Sequence, residues 1–400
     1  MGDVFSETTQ QGLGGRLKGA IGGIIVGLAM FVAAFPLQWW NEGRSVRQHD
    51  SLAEGAAAVV AASDERVDAA NEGRLVHVAG RVSAPEPLAD PDFGISANAL
   101  ALERRVEMYQ WKEKRERHER KKLGGGTETV TEYKYSLDWD DDAIDSGDFH
   151  HSKDHANPGA LPLPSRKVSA DHAQLGAFTL GQSLTQRFDD WQRLAAPSDA
   201  ASTVAGFRRV DAGFYRGADP ARPKVGDVRV RFVQVPEGDY SFVGRQVGDG
   251  LDEFPTKAGN AILLIERGMK DAKSMFASAQ SANTRLTWIL RGAGFAAMWL
   301  GLFLVVRPLA VLGDVVPLLG GLLAKGLGIV AFALAACFSL LTIGLAWLAY
   351  RPVFGISLLL LGAAAIFWLR RRSPAMAQPP PPPGALSSSA ATPPPRPPAS

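Results

Sequence analysis

Four long apolar stretches constrain this chain more than any other feature of it. A helix crossing ~30 Å of hydrocarbon needs about 20 mostly apolar residues. The first such run is Lys18–Trp40, which carries IGGIIVGLAMFVAAFPLQWW and no charge between Lys18 and Glu42. Leu286–Val306, Gly326–Ala349 and Pro352–Leu369 follow near the other end. Ala33-Ala34 is a small-residue site of the kind that follows a cleaved signal peptide, but the apolar run continues past it to Trp39 and Trp40. Paired tryptophans suit the headgroup boundary, so the segment reads as a retained anchor. Only Tyr350 and Arg351 separate the last two runs, which forces them into an antiparallel hairpin.

Basic residues near the spans set the expected orientation. Arg16 and Lys18 precede the first span, Arg307 and Lys325 flank the loop between the second and third, and Arg370, Arg371 and Arg372 follow the fourth. With four spans these fall on one side. The expected layout is a cytoplasmic N-terminus (1–17), spans at 18–40, 286–306, 326–349 and 352–369, a cytoplasmic loop (307–325) and a cytoplasmic tail (370–400). The large middle, 41–285, lies across the membrane. Arg291, one turn inside the second span, is expected to snorkel outward. The tail from 373 holds eleven prolines and cannot bury a core.

Several function classes are disfavoured by what the spans and composition lack. No Asp, Glu, Lys or His sits at the centre of a span, which argues against pumps and proton-coupled transporters but leaves a passive pore open. The lone Cys337 allows no internal disulfide and no cysteine-based zinc site. A net charge of +2 argues against a polyanion binder, so no nucleic-acid partner is expected. Small residues such as Gly22, Gly23 and Gly27 in the first span, and Gly292, Gly294 and Gly301 in the second, allow close helix packing, within one chain or between copies.

The middle segment reads as β-rich. LVHVAGRV at 75–82 alternates as a strand. ALALERRVEMYQWKEKRE at 99–116 and TETVTEYKYSLDW at 127–139, joined through Gly124-Gly125-Gly126, predict a long hairpin. Its tip, Lys112–Lys122, holds four Lys, three Arg and three Glu, as expected of a solvated arm. Further strands are expected at 227–235, 239–247 and 261–268. Helices are expected at 51–62, with Ser51 as N-cap, at 184–194, with Leu184, Phe188, Trp191 and Leu194 on one face, and at 269–285, running directly into the second span. The acids of DWDDD (138–142) and the histidines His150, His151, His155 and His172 match no metal-binding motif, and no cofactor is expected.

A set of short segments in fixed order resembles the transmembrane protein 43 (LUMA) family. They are WNEGRSVR (40–47), SLAEGAAAVV (51–60), DPDFGI (90–95), RRVEMYQWKE (104–113), HANP (155–158), GFYRGADP (213–220), VGDVRVRF (225–232), PTKAGNAILLIERG (255–268), TWILRGAGFAAMWLGLFL (287–304) and WLAYRPV (347–353). The resemblance implies an α-helical membrane protein of four transmembrane helices, with a large β-rich α+β extracytoplasmic domain inserted between helices 1 and 2. Animal members reside in the endoplasmic reticulum and inner nuclear membrane and are thought to self-associate and to organise membrane protein complexes. The proline-rich tail lies outside the family pattern. The Ala-, Gly- and Arg-rich composition points to a bacterial member, with the domain in the periplasm. No catalytic residues carry over. Asn41, Glu42, Gly43, Arg44, Glu107, Tyr109 and Trp111 match family segments and are interaction or structural candidates. The expected partners are the lipid bilayer, further copies of the chain and membrane or envelope proteins. The alternatives are a metal-assisted envelope hydrolase using the His150–His172 region and the 138–142 acids, and a passive channel or stress-sensing complex.

Overall fold

The computed structural model describes residues 3–195, 203–210 and 213–350, with scattered positions from 351 to 367. The expected fourth span falls largely outside the described residues, and the tail wholly so. Contacts divide the chain into Met1–Ala346 and Trp347–Ser400.

Three described helices are long and apolar enough to cross a membrane. These are α1 (Leu13–Ala58), α2 (Ala272–Gly313) and α3 (Pro317–Tyr350). Each outruns its expected span. Helix α1 absorbs Pro36 and continues through the polar segment 41–58. At 1.5 Å per residue its length is about 69 Å, roughly twice the hydrocarbon thickness. The separate helix expected at 51–62 is therefore the far end of α1. Ser51 is not its N-cap; it is buried mid-helix, with its hydroxyl 2.7 Å from that of Thr256. Helix α2 starts where Asp271 caps the Ser274 amide at 2.7 Å and runs unbroken into the apolar window, as expected for 269–285. The expected loop 307–325 shrinks to Asp314, Val315 and Val316, because helix continues to Gly313 and resumes at Pro317. Proline suits that first helical turn, where its missing N–H costs nothing.

Seven strands carry the β architecture: β1 (Val4–Gln11), β2 (Leu75–Ser83), β3 (Ala99–Lys121), β4 (Thr127–Asp140), β5 (Val228–Pro236), β6 (Gly238–Val247) and β7 (Leu264–Arg267). The larger sheet is ordered β1, β4, β3, β5, then Gly213–Arg216, Phe207–Val210 and Thr203–Val204. Its alternating apolar face buries Leu102, Val106, Met108, Val228, Val230 and Phe232 around Phe93. In the second sheet, β2, His172–Leu175, Phe178–Gly181, Gly250–Asp252 and β6 close into a ring, since β2 and β6 also pair with each other. Closure leaves no free edge among those five strands. Val76, Val78, Leu175, Phe178, Leu180 and Phe242 lie in the core that forms there.

The helix expected at 184–194 is not formed. Only Gln182–Thr185 turns helically, and Gln192–Leu194 pairs as a strand with β5. The apolar residues are still used: Leu184 and Phe188 are buried in the ring's core, with Trp191 packed against it, and Leu194 packs against the other core. Tertiary pairing has overridden the local period.

The predicted hairpin is present and longer than expected. β3 and β4 pair from Met108↔Asp140 to Lys121↔Thr127 with no register shift. The turn needs Gly124 and Gly125, whose φ values are 83° and 78°. Residues 4–11, expected to form part of a free cytoplasmic segment, instead pair with β4 from Val4↔Lys134 to Gln11↔Thr127. The distal hairpin is thus a three-stranded arm.

This arm reaches from one end of the helix pair to the other. At the end near the ring, Leu52 of α1 and Met275 and Phe276 of α2 pack with Leu75, Val243 and Ile262. At the opposite end, Arg16 donates to the Gly125 carbonyl at 2.6 Å, and the Gly124 N–H donates to the Val315 carbonyl at 3.2 Å. The buried Asp314 carboxylate there accepts from Arg16 at 2.7 Å and Lys121 at 2.6 Å.

Candidate functional site

Four of the seven candidate residues are consecutive in α1, and three of them, Asn41, Glu42 and Arg44, reach α2. Asn41, Glu42 and Gly43 are buried and Arg44 is half-buried. Glu42, only 1% exposed, accepts from Arg291 Nε at 2.6 Å and Nη2 at 2.7 Å. Arg291 therefore does not snorkel outward. It turns inward in the two-pronged geometry that makes an arginine–carboxylate pair strong, and its guanidinium lies 4.8 Å from the Trp288 ring centre. One turn on, Asn41 donates to the Thr287 carbonyl at 3.1 Å, and Arg44 donates to Asn283 Oδ1 at 3.0 Å and Thr287 Oγ1 at 3.0 Å. Asn283 donates in return to the Ser45 carbonyl at 3.0 Å. Deeper along α1, the Gln38 amide hydrogen-bonds the Ser339 hydroxyl of α3 at 3.0 Å.

This polar ladder continues as a close-packed seam. A Cβ on Gly27 would lie 2.6 Å from the Gly301 carbonyl oxygen, and one on Gly301 would lie 2.6 Å from that of Gly27. Ala34, Met298 and Ala335 fill the next layer. The outward faces carry the large apolar residues, with Ile25 75%, Trp288 64% and Leu340 70% exposed. Small and polar residues inside with large apolar ones outside is the pattern of helices whose solvent is lipid.

The other three candidates sit on β3, within the larger sheet. Glu107 takes two hydrogen bonds from Arg229, at 2.8 and 3.0 Å, and a third from Arg231. Burial pushes its pKa up, but Arg229 and then Arg231 outweigh it and hold the carboxyl below its ordinary value. Arg229 also stacks 4.3 Å from the Trp139 ring, which lies 5.2 Å from Tyr109. Trp111 marks the place where β3 runs on beyond β5. Asn157 covers that exposed edge by accepting from Trp111 N–H at 2.8 Å and donating to its carbonyl at 3.1 Å. The site residues therefore form two separate clusters.

Among the described residues, His150, His151, His155 and His172 do not bring their ring nitrogens together in one group of ligand atoms. His155, fully buried, stacks on Tyr135 at 3.8 Å, and His150 stacks on Tyr133 at 4.0 Å. His172 lies on a strand of the ring. Tyr135 donates to Glu113, and its hydroxyl is pushed up to about 12, by burial first and then by that carboxylate. Among the described residues, ligand atoms gather only at Glu116, His118 and Glu132, and at Asp140, Asp141 and Asp142. Glu116 is already paired with Lys114 and Lys134, and Asp140 is paired with Lys112 at 2.8 Å.

The sequence reading missed Asn283, Thr287 and Ser45 as partners of the candidates, and misread Arg291. Opposite charges at matched depth in two neighbouring spans were the available signal.

A sequence profile described as Transmembrane protein 43 matches residues 108–352. The Transmembrane protein 43 of Mus musculus is 37% identical over 361 residues, covering 88% of this chain and 90% of the mouse protein. This chain belongs to the transmembrane protein 43 family. The Homo sapiens member is 36% identical over 360 residues, spanning 87% of this chain and 90% of its own length. The Drosophila melanogaster homolog is 33% identical over 351 residues, spanning 86% and 93%. No solved structure matches the chain significantly. Family membership and the outward apolar faces of the three helices together make it an integral, multi-pass membrane protein. Its relatives carry the name of a membrane protein and not of an enzyme.

Proposed function

We propose that this transmembrane protein 43 family member is a non-enzymatic membrane scaffold. It organises membrane protein complexes through its β-rich domain and through association with its own copies. The supporting observation is the continuity of α1 and α2 from the apolar windows into the β core, where Leu52, Met275 and Phe276 pack. Two unbroken helices joined by buried ion pairing transmit position rigidly between the bilayer and the domain. A scaffold needs such a coupling.

Arg16, Lys18, Lys121, Lys122, Arg307 and Lys325 gather toward the end of the helices away from the ring. The positive-inside rule assigns that end to the cytoplasm. The ring and the body of the larger sheet then lie across the membrane, in the periplasm or an organelle lumen. The arm returns along the helices toward the basic end. Its charged residues are costly against hydrocarbon, which supports the reading that copies associate and screen it from lipid.

Purification in mild detergent with a mass measurement tests this reading. The expected species contains two or more chains. A strict monomer with no companion protein would overturn it.

A further inference from the structure

The face of the larger sheet turned away from its core concentrates arginine. Residues paired across strands share a face, so the pairings order these side chains into rows. One row is Arg208, Tyr215, Arg229 and Glu107, and the next is Val210, Gly213, Arg231 and Arg105. A third is Arg193, Val233, Glu103 and Lys167. Six cations thus stand here against two carboxylates, although the whole chain has a net charge of only +2. A pocket of about 260 Å³ opens among them, walled by Trp139, Tyr215 and Pro220 and lined by Arg193, Arg229 and Arg231. Glu107 holds Arg229 through Nε and Nη2 and Arg231 through Nη2, so Arg229 Nη1 and Arg231 Nε and Nη1 have no acceptor among the described residues. Arg193 is exposed and has no hydrogen bond or ion pair with any described residue.

We propose that this face binds an extended acidic segment of a partner protein, with carboxylates on successive rows and one of them seated in the pocket. This names the partner chemistry for the scaffold reading and rests on it. The guanidinium fork matches a carboxylate, and clustered arginines are a recurring means of capturing acidic segments. Arg229 is already oriented for the task by Glu107 and by the Trp139 ring it stacks on. The spacing favours a peptide over a lone oxyanion. Arg229 and Arg231 are two residues apart on one strand, which is about 6.6 Å. Side chains on one side of an extended peptide repeat at that same interval, so acids at alternate positions meet successive rows. A single phosphate in the pocket would leave Arg105, Arg208 and Lys167 unengaged.

Binding of a fluorescently labelled octaglutamate peptide to the full chain in phosphatidylcholine nanodiscs tests this. Octaglutamate should bind saturably and octaglutamine should not. Arg193→Glu should weaken binding at least about tenfold. Because Arg193 has no partner to lose, the same change should leave thermal unfolding where it was. Arg81→Glu makes an identical charge change at an exposed position of the ring and should keep the affinity within about twofold, which separates this face from net charge. Inorganic phosphate should displace the peptide no better than chloride at matched ionic strength. Absence of octaglutamate binding, unchanged affinity in Arg193→Glu, or an equal loss in Arg81→Glu would overturn the proposal. Displacement by phosphate where chloride has no effect would also overturn it, by making the pocket a site for a single oxyanion. If the peptide fails to bind while the chain purifies as a multimer or with a companion, the acidic-peptide site is wrong and the scaffold reading stands. If the peptide binds as expected to a strict monomer without companions, the site stands and the scaffold reading falls.

Discussion

The Glu42 carboxylate and the Arg291 guanidinium, 249 positions apart in sequence, form a two-pronged ion pair that joins α1 to α2. Both are largely shielded, with side chains 2% and 16% exposed. Removing one partner of a buried pair strands the other charge and typically costs roughly 3–5 kcal/mol, whereas apolar replacement of both is often neutral. Glu42→Ala and Arg291→Ala should therefore each destabilise the helix pair by that order. The double change Glu42→Leu with Arg291→Met should recover most of it. Thermal unfolding in detergent measures this, and equal loss in the double variant would show that the pair is not coupled.

Gly27 and Gly301 leave no room for a side chain where α1 and α2 cross. Gly27→Leu should force the helices apart at a cost of roughly 1–3 kcal/mol. Gly22→Leu, where a Cβ meets nothing within 4 Å, should be tolerated. Comparative unfolding of the two variants checks the seam.

The Glu107–Arg229–Arg231 cluster predicts an acid response. Its carboxyl pKa is lowered in the fold, so its stabilising contribution is complete above the unfolded value of about 4.3 and is lost as pH falls through the lower folded value. Glu107→Gln should lower stability at neutral pH and flatten that part of the acid profile. An unchanged profile between pH 5 and the acid limit would contradict the assignment.

Asn157 supplies both a donor and an acceptor to the Trp111 backbone. Asn157→Ala should leave those groups dependent on water and cost about 1–3 kcal/mol. Faster amide exchange at Trp111 would localise the effect.

Much of this architecture is written locally. The apolar windows, the hairpin's alternation and the continuity of 269–285 into α2 each follow from a period or a length that the chain displays by itself. What the sequence hid depends on partners far away. Val4–Gln11 is a strand because β4 lies beside it, and Gln192–Leu194 leaves a helical pattern because β5 offers an edge. Asn41, Glu42 and Arg44 were found through family segments, but their partners on α2 are chosen by helix packing, which no local pattern encodes.

The tip of the arm meets the start of α1 at Arg16 and Gly125, and β1 is bound to β4 although α1 follows it directly in the chain. Ser6 and Glu132 are register partners. Ser6→Cys with Glu132→Cys, in a Cys337→Ser background, should form an intrachain disulfide in intact membranes before any detergent is added. If no disulfide forms, and impermeant thiol reagents reach the two positions only from opposite faces of the membrane, β1 does not pair with β4 and the arrangement is wrong.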